Sequence, residues 1–220
     1  MDMKKIKIIL LFVLVCTLFS CQTRFDLQSD KDLNEVFTEN EVREIEKMID
    51  YVDDRVVDIT GNKDIEQAYH QLLDKIDQTM QDSAQFFVPF EDEEKCLFVE
   101  SIDSTVFNEF WYMNNHIRSA IYKDSIYKDL DNFKTLNLLH IGRYSDYLQK
   151  IGENDAYYQS LRENLHIAGG LSPTIVASFL KMHNEFDFAI PKNRLWATVF
   201  ILAIEEPFDN KMERYLDQKK

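Results

Sequence analysis

Apolar residues return at intervals of three and four over long stretches of this chain, and that spacing restricts what it can become. Val42, Ile45, Ile49, Val52 and Val56 form one stripe, and Ile65, Tyr69, Leu72, Leu73, Ile76 and Met80 form a second. A period near 3.6 sets such residues on one face of an α-helix, whereas a half-buried strand needs strict alternation. The ends of the stripes carry stop and start signals. Thr38-Glu39-Asn40-Glu41 has the spacing of a capping box, Gly61 suits a left-handed stop, and Asp64 suits an N-cap. Two helices joined by a short turn of this kind predict an antiparallel hairpin.

Further along, a long helical region is expected from Asp103 or Ser104, with Phe107, Phe110, Trp111, Ile117 and Ile121 on one side. The four residues Ile-Tyr-Lys-Asp occur at 121–124 and again at 126–129. A period of five is not helical, so a kink near Ser125 is predicted. Phe133, Leu136, His140, Tyr144, Tyr147, Leu148 and Ile151 give a further helical face. Asn154 or Asp155 opens the next helix, and Ser172-Pro173 restarts the chain with an N-cap and a proline at the first helical position. Residues 194–204 are apolar almost all round, which marks a central helix, and Pro207 ends it. The expected architecture is all-α, an irregular multi-helix bundle of about seven helices.

The chain is rich enough in hydrophobic (45%) and aromatic (13%) residues to exclude disorder. Its net charge of −14 argues against nucleic acid, which attracts clustered Lys and Arg. Lys4, Lys5 and Lys7 stand against Asp2 in the first twenty residues, so the remainder is two units more acidic still.

Those lysines precede a twelve-residue apolar run, Ile8–Phe19. The run is too short to span a membrane, which takes about 20 residues, and matches the apolar segment of a secretory signal. Leu18-Phe19-Ser20-Cys21 follows and resembles the lipobox of bacterial lipoprotein precursors, although Phe19 replaces the small residue commonest at its position. The resemblance implies cleavage before Cys21 and covalent lipid on its sulfur, and no other cofactor is implied. With two or three acyl chains such attachment to the membrane is effectively permanent. Gln22, not an acidic residue, follows Cys21, which favours the outer membrane of the cell envelope over the inner. The expected organisation is a signal peptide over 1–20, a flexible tether over 21–32 and a single helical domain over 33–220. Cys16 leaves with the signal, so Cys96 has no partner for a disulfide and its apolar setting suits an inert thiol.

No phosphate-binding glycine loop, HExxH, CxxC, GxSxG or calcium loop is present. His140 lies on an apolar stripe and reads as a satisfied core imidazole, and His183 reads as a complement to a helix C-terminus. Glu205-Glu206 are neighbours and do not straddle one bond as a glycosidase pair would. The densest polar and aromatic patch is Asn108, Trp111, Tyr112, Asn114, Asn115, His116 and Arg118. It is the candidate ligand-binding groove, with Trp111 or Tyr112 as a stacking platform; against this stands the reading of Trp111 as core. The phrase from Thr105 to Trp111, with Leu171-Ser172-Pro173, is similar to lipoproteins of Bacteroidota and implies no activity. Three functions follow as expectations. The first is an envelope lipoprotein whose domain binds another envelope protein, including an immunity-type protein that neutralises a basic toxin. The second is a glycan- or peptide-binding lipoprotein, and the third a hydrolase whose site assembles only in space.

Overall fold

The computed structural model describes residues 25–80 and 87–219. The signal segment, Cys21, and Gln85 and Phe86 of the aromatic stretch before Pro89 lie outside the described residues. Ten α-helices, two short 3-10 turns and one two-stranded antiparallel sheet make up the described chain, so the fold is mixed and not all-α.

The helices begin and end where local chemistry directs them. A 3-10 turn at Leu27–Ser29 leads into α1 (Lys31–Val36), with Asp26 and Asp30 as their caps. Leu27 and Leu33 are fully buried, so the stretch read as tether is already packed against the body from Phe25 onward. In α2 (Glu39–Thr60) the capping box forms: the Thr38 N–H donates to Glu41 Oε2 at 2.9 Å and the Glu41 N–H donates to Thr38 Oγ1 at 3.5 Å. All five residues of the first stripe are fully buried. Gly61, at φ +68°, supplies the left-handed turn, and Asp64 caps α3 (Ile65–Thr79). These two helices pack together as the expected hairpin.

Two short helices follow, α4 (Asp92–Glu100) and α5 (Ser104–Phe110). Here the long helix expected from Ser104 stops. Residues 111–122 form β1 (Trp111–Tyr122), and β2 (Ser125–Leu138) returns beside it. The break predicted near Ser125 is a two-residue hairpin turn with Lys123 and Asp124 at φ +45° and +62°. Both central residues of a type I′ turn need positive φ, which aspartate tolerates and lysine adopts at a cost. Tyr122 pairs with Ser125 and Ile121 with Ile126. A repeat of five residues therefore sets isoleucine opposite isoleucine across the turn, which is the physical meaning of the doubled motif. The register shifts between Asn114 and His116, where β2 carries Asn132 at φ +63°.

After the hairpin come α6 (Arg143–Gly152), α7 (Ala156–Ala168) and α8 (Pro173–Met182). Phe133 and Leu136 thus belong to a strand and His140 to a bend, while Tyr144, Tyr147, Leu148 and Ile151 keep their helical face. A second 3-10 turn, His183–Glu185, precedes α9 (Pro191–Ala203), whose Trp196, Val199 and Phe200 are fully buried. Trp196 and Phe200 both pack on Phe179 of α8. The chain closes with α10 (Phe208–Gln218) after Pro207.

Two ionic ties brace this body. Arg194 of α9 pairs with Asp53 of α2, which also accepts from the Tyr69 hydroxyl at 2.8 Å. Arg143 of α6 donates to both Glu41 oxygens at 2.9 and 2.6 Å and lies 3.2 Å from Glu109. The Arg143 hydrogen bonds, aided by those from Thr38 and opposed by burial, hold the Glu41 carboxyl down at about 2.

Candidate functional site

Among the described residues the sheet has two strands, so one edge of each is without a ladder partner there, and this hairpin is long, at 12 and 14 residues. Little of it is buried away from its base. Tyr122, Leu130 and Phe133 form a small separate core with Met212 of α10. Tyr215 closes that contact, its ring meeting Phe133 edge-on at 5.2 Å and its hydroxyl donating to the Asp131 carbonyl at 2.9 Å. The cross-strand pair Ile121 and Ile126 stands free next to the turn, 72% and 66% exposed. Isolated exposed isoleucines are ordinary, but two placed opposite each other at the tip of a ribbon form one apolar knob between open strand edges.

Midway along β2, the strand borders a cavity of about 210 Å³ together with α4 and α10. Leu97, Phe133 and Tyr215 give it apolar walls, and Lys134, Lys211 and Arg214 line it beside them. Under the cavity sits a cluster of buried charge: Asp92, Lys95, Glu206 and Lys211 are each less than a tenth exposed. Asp92 contacts Lys95 at 2.8 Å and Lys211 at 2.5 Å, and Lys95 also donates to the Ile204 carbonyl at 2.5 Å. Glu206 accepts from the Asp92 N–H at 2.9 Å, at the start of α4, and pairs with Arg214. Burial would raise the Asp92 carboxyl, but Lys95 and Lys211 overcome it and hold the group below its ordinary range.

Each cation lining the cavity is already matched: Lys211 by Asp92, Arg214 by Glu206, and Lys134 by Glu100 at 2.6 Å. The cavity therefore offers little net attraction to an anion. It suits an apolar or aromatic group of modest size with a polar rim. Cys96 lies nearby with its thiol fully buried, and burial pushes that thiol up to about 11, as an inert cysteine requires.

The residues singled out from the sequence lie mostly on β1, but they do not converge into a groove. Trp111 is 1% exposed and belongs to the main core beside Phe110, so it cannot serve as a stacking platform. Its indole N–H has no hydrogen-bond partner among the described residues. Tyr112 is 41% exposed and borders a different cavity, of about 500 Å³, with Leu136, Leu171 and Val176. Asn114, Asn115, His116 and Arg118 are exposed along the strand, and Asn108 is exposed on α5. His116 is engaged across the hairpin, its Nδ1 2.9 Å from Asp131. The pleat and the register shift send these side chains in different directions, where one helical face would have gathered some of them. His140 is half-buried in a bend, and its Nδ1 has no hydrogen-bond partner among the described residues, so it is not the satisfied core imidazole expected. Glu205 and Glu206 have opposite surroundings, one exposed and the other in the buried cluster.

The knob and the cavity beside Phe133 escaped sequence reasoning. The one signal available was the repeat at 121–129, which marked the turn without revealing the strands. No protein-family model, curated protein or solved structure matches the chain.

Proposed function

We propose that this protein is a lipid-anchored lipoprotein of the bacterial cell envelope, held through Cys21 in the outer membrane, whose helical body presents the β1–β2 hairpin to a partner protein. The observation that carries the docking half of this reading is the ribbon itself, with unpaired edges and an apolar Ile121–Ile126 knob. An open edge supplies backbone donors and acceptors in register for a strand of the partner, and the knob supplies the apolar anchor. The lipobox resemblance at residues 18–21 supports the anchored half. An immunity-type role is the sharper form of the same reading, because the acidic remainder of the chain suits a basic target.

The experiment is crosslinking in native cells through a C-terminal tag, comparing wild type with Cys21→Ala and with an Ile121→Ser, Ile126→Ser double variant. One partner recovered near stoichiometry with wild type, and lost in the double variant, is the expected result. Recovery unchanged by the double variant removes the hairpin from the reading. A Cys21→Ala protein that still sediments with membranes removes the anchor.

A further inference from the structure

On the helical body, away from the hairpin's apolar knob, two histidines meet. His70 lies on α3, and His183 caps the C-terminus of α8 and opens the second 3-10 turn. Their Nδ1 atoms are 3.1 Å apart. His183 is 2% exposed, and its other ring nitrogen, Nε2, is 3.1 Å from Asp74 Oδ1 on α3. A carboxylate oxygen accepts hydrogen bonds, so Asp74 favours the tautomer of His183 with its proton on Nε2, whose Nδ1 lone pair faces His70. Phe188, fully buried, backs the His70 ring at 4.8 Å between centroids.

Two imidazole nitrogens this close together, one ring oriented from behind by a carboxylate, match the arrangement of histidines at a metal centre. Two nitrogens bound to one tetrahedral zinc at about 2.0–2.1 Å stand roughly 3.3 Å apart. The separation seen here, 3.1 Å, is close to that bite. We propose that His70 and His183 chelate a divalent transition-metal cation of the zinc class, with Asp74 as the positioning residue for His183. Among the described residues no group of three or more His, Cys, Asp and Glu side chains is set to hold a metal, so water completes the coordination. Without metal, the His70 Nδ1–H donates to His183. On binding, that proton moves to the other nitrogen of His70 by exchange with water, both rings stay neutral, and the cation takes the two Nδ1 lone pairs. The bound cation would join α3 to the end of α8 and so brace the body independently of any partner at the hairpin.

The test titrates zinc chloride into the purified, metal-free full chain by calorimetry. One saturable site per chain is expected, abolished by His70→Gln, weakened about tenfold or more by Asp74→Asn, and unaltered by His116→Gln. His70 is partly exposed, so its variant should keep the fold, which circular dichroism checks; His183→Gln is not needed. Imidazole ¹⁵N spectra provide a second readout, with zinc expected to move the Nδ1 resonances of His70 and His183 together. No saturable uptake, uptake that survives His70→Gln, or unmoved Nδ1 resonances would each overturn the proposal.

Discussion

The helical body and the β-hairpin are held by very different amounts of buried surface. The body has one continuous core running from Leu27 to Ile204, with α9 buried on nearly every side. The hairpin enters that core only at its base, through Trp111, Leu136 and Leu138, and beyond it rests on Tyr122, Leu130 and Phe133 against Met212, with Tyr215 and Leu216 at the margin. A two-stranded ribbon is marginal in water by itself, so its order is borrowed from the main core at its base and from α10 farther out. The contrast separates stability from recognition. Stability lies where nothing is accessible, and the exposed edges and apolar knob lie where little stability is at stake.

That contrast predicts a graded response to mutation. Trp196→Ala removes the largest side chain at the centre of the body and the N–H that donates to the Tyr157 hydroxyl at 2.9 Å. A loss of about 3–5 kcal/mol in global stability is expected, read by denaturant unfolding as one cooperative transition. Met212→Ala should cost about 2 kcal/mol locally. Amide exchange should accelerate in residues 117–133 while α2, α3 and α9 keep their protection. Equal acceleration everywhere would show that hairpin and body unfold as one unit, and would end the comparison.

An electrostatic test probes the body alone. Glu41 is held at about 2 against an ordinary value of 4.5, so it binds protons less readily in the folded chain than in the unfolded one. Its contribution is present above about pH 4.5 and is lost as the pH falls through 2. With solvent screening of a partly exposed pair, that contribution is on the order of 1–2 kcal/mol. Glu41→Gln should flatten the acid limb of the stability profile across that window. An unchanged limb would mean that the Arg143 tie does not support folding. The smallest effect belongs to the Ile121→Ser, Ile126→Ser variant, whose thermal stability should stay within about 0.5 kcal/mol of wild type. A larger loss would make the knob part of the fold instead of a free surface.

Much of the helical body was legible because its signals are local. Thr38 with Glu41, Gly61, Asp64, Asp155 and Ser172-Pro173 each act within one turn of helix, and each cap sits where its residue type directs. The hairpin was not legible, because strand pairing joins residues up to 27 positions apart, as Trp111 and Leu138 are, and no local cap announces it. Residues 107, 110, 111, 117 and 121 satisfy a helical spacing in one dimension, and nothing in that spacing reveals that a second strand waits at 125. The candidate site divides in the same way. The polar and aromatic stretch around Trp111 did mark an unusual region, but its groove disappeared once the pleat carried Trp111 into the core and turned its neighbours outward.

The histidines illustrate the limit most plainly. His70 and His183 share no motif spacing, since 113 residues separate them. Sequence alone determined the helical caps, the buried character of α9, the acidic surface and the lipobox-like segment, because each depends on neighbours within a few residues. Tertiary structure decided that residues 111–138 pair as strands, that Trp111 is buried, that Asp92 and Lys95 are buried as an ion pair, and that two distant imidazoles face each other. Those outcomes depend on burial and on contacts between remote segments, free energies that no short window of sequence contains.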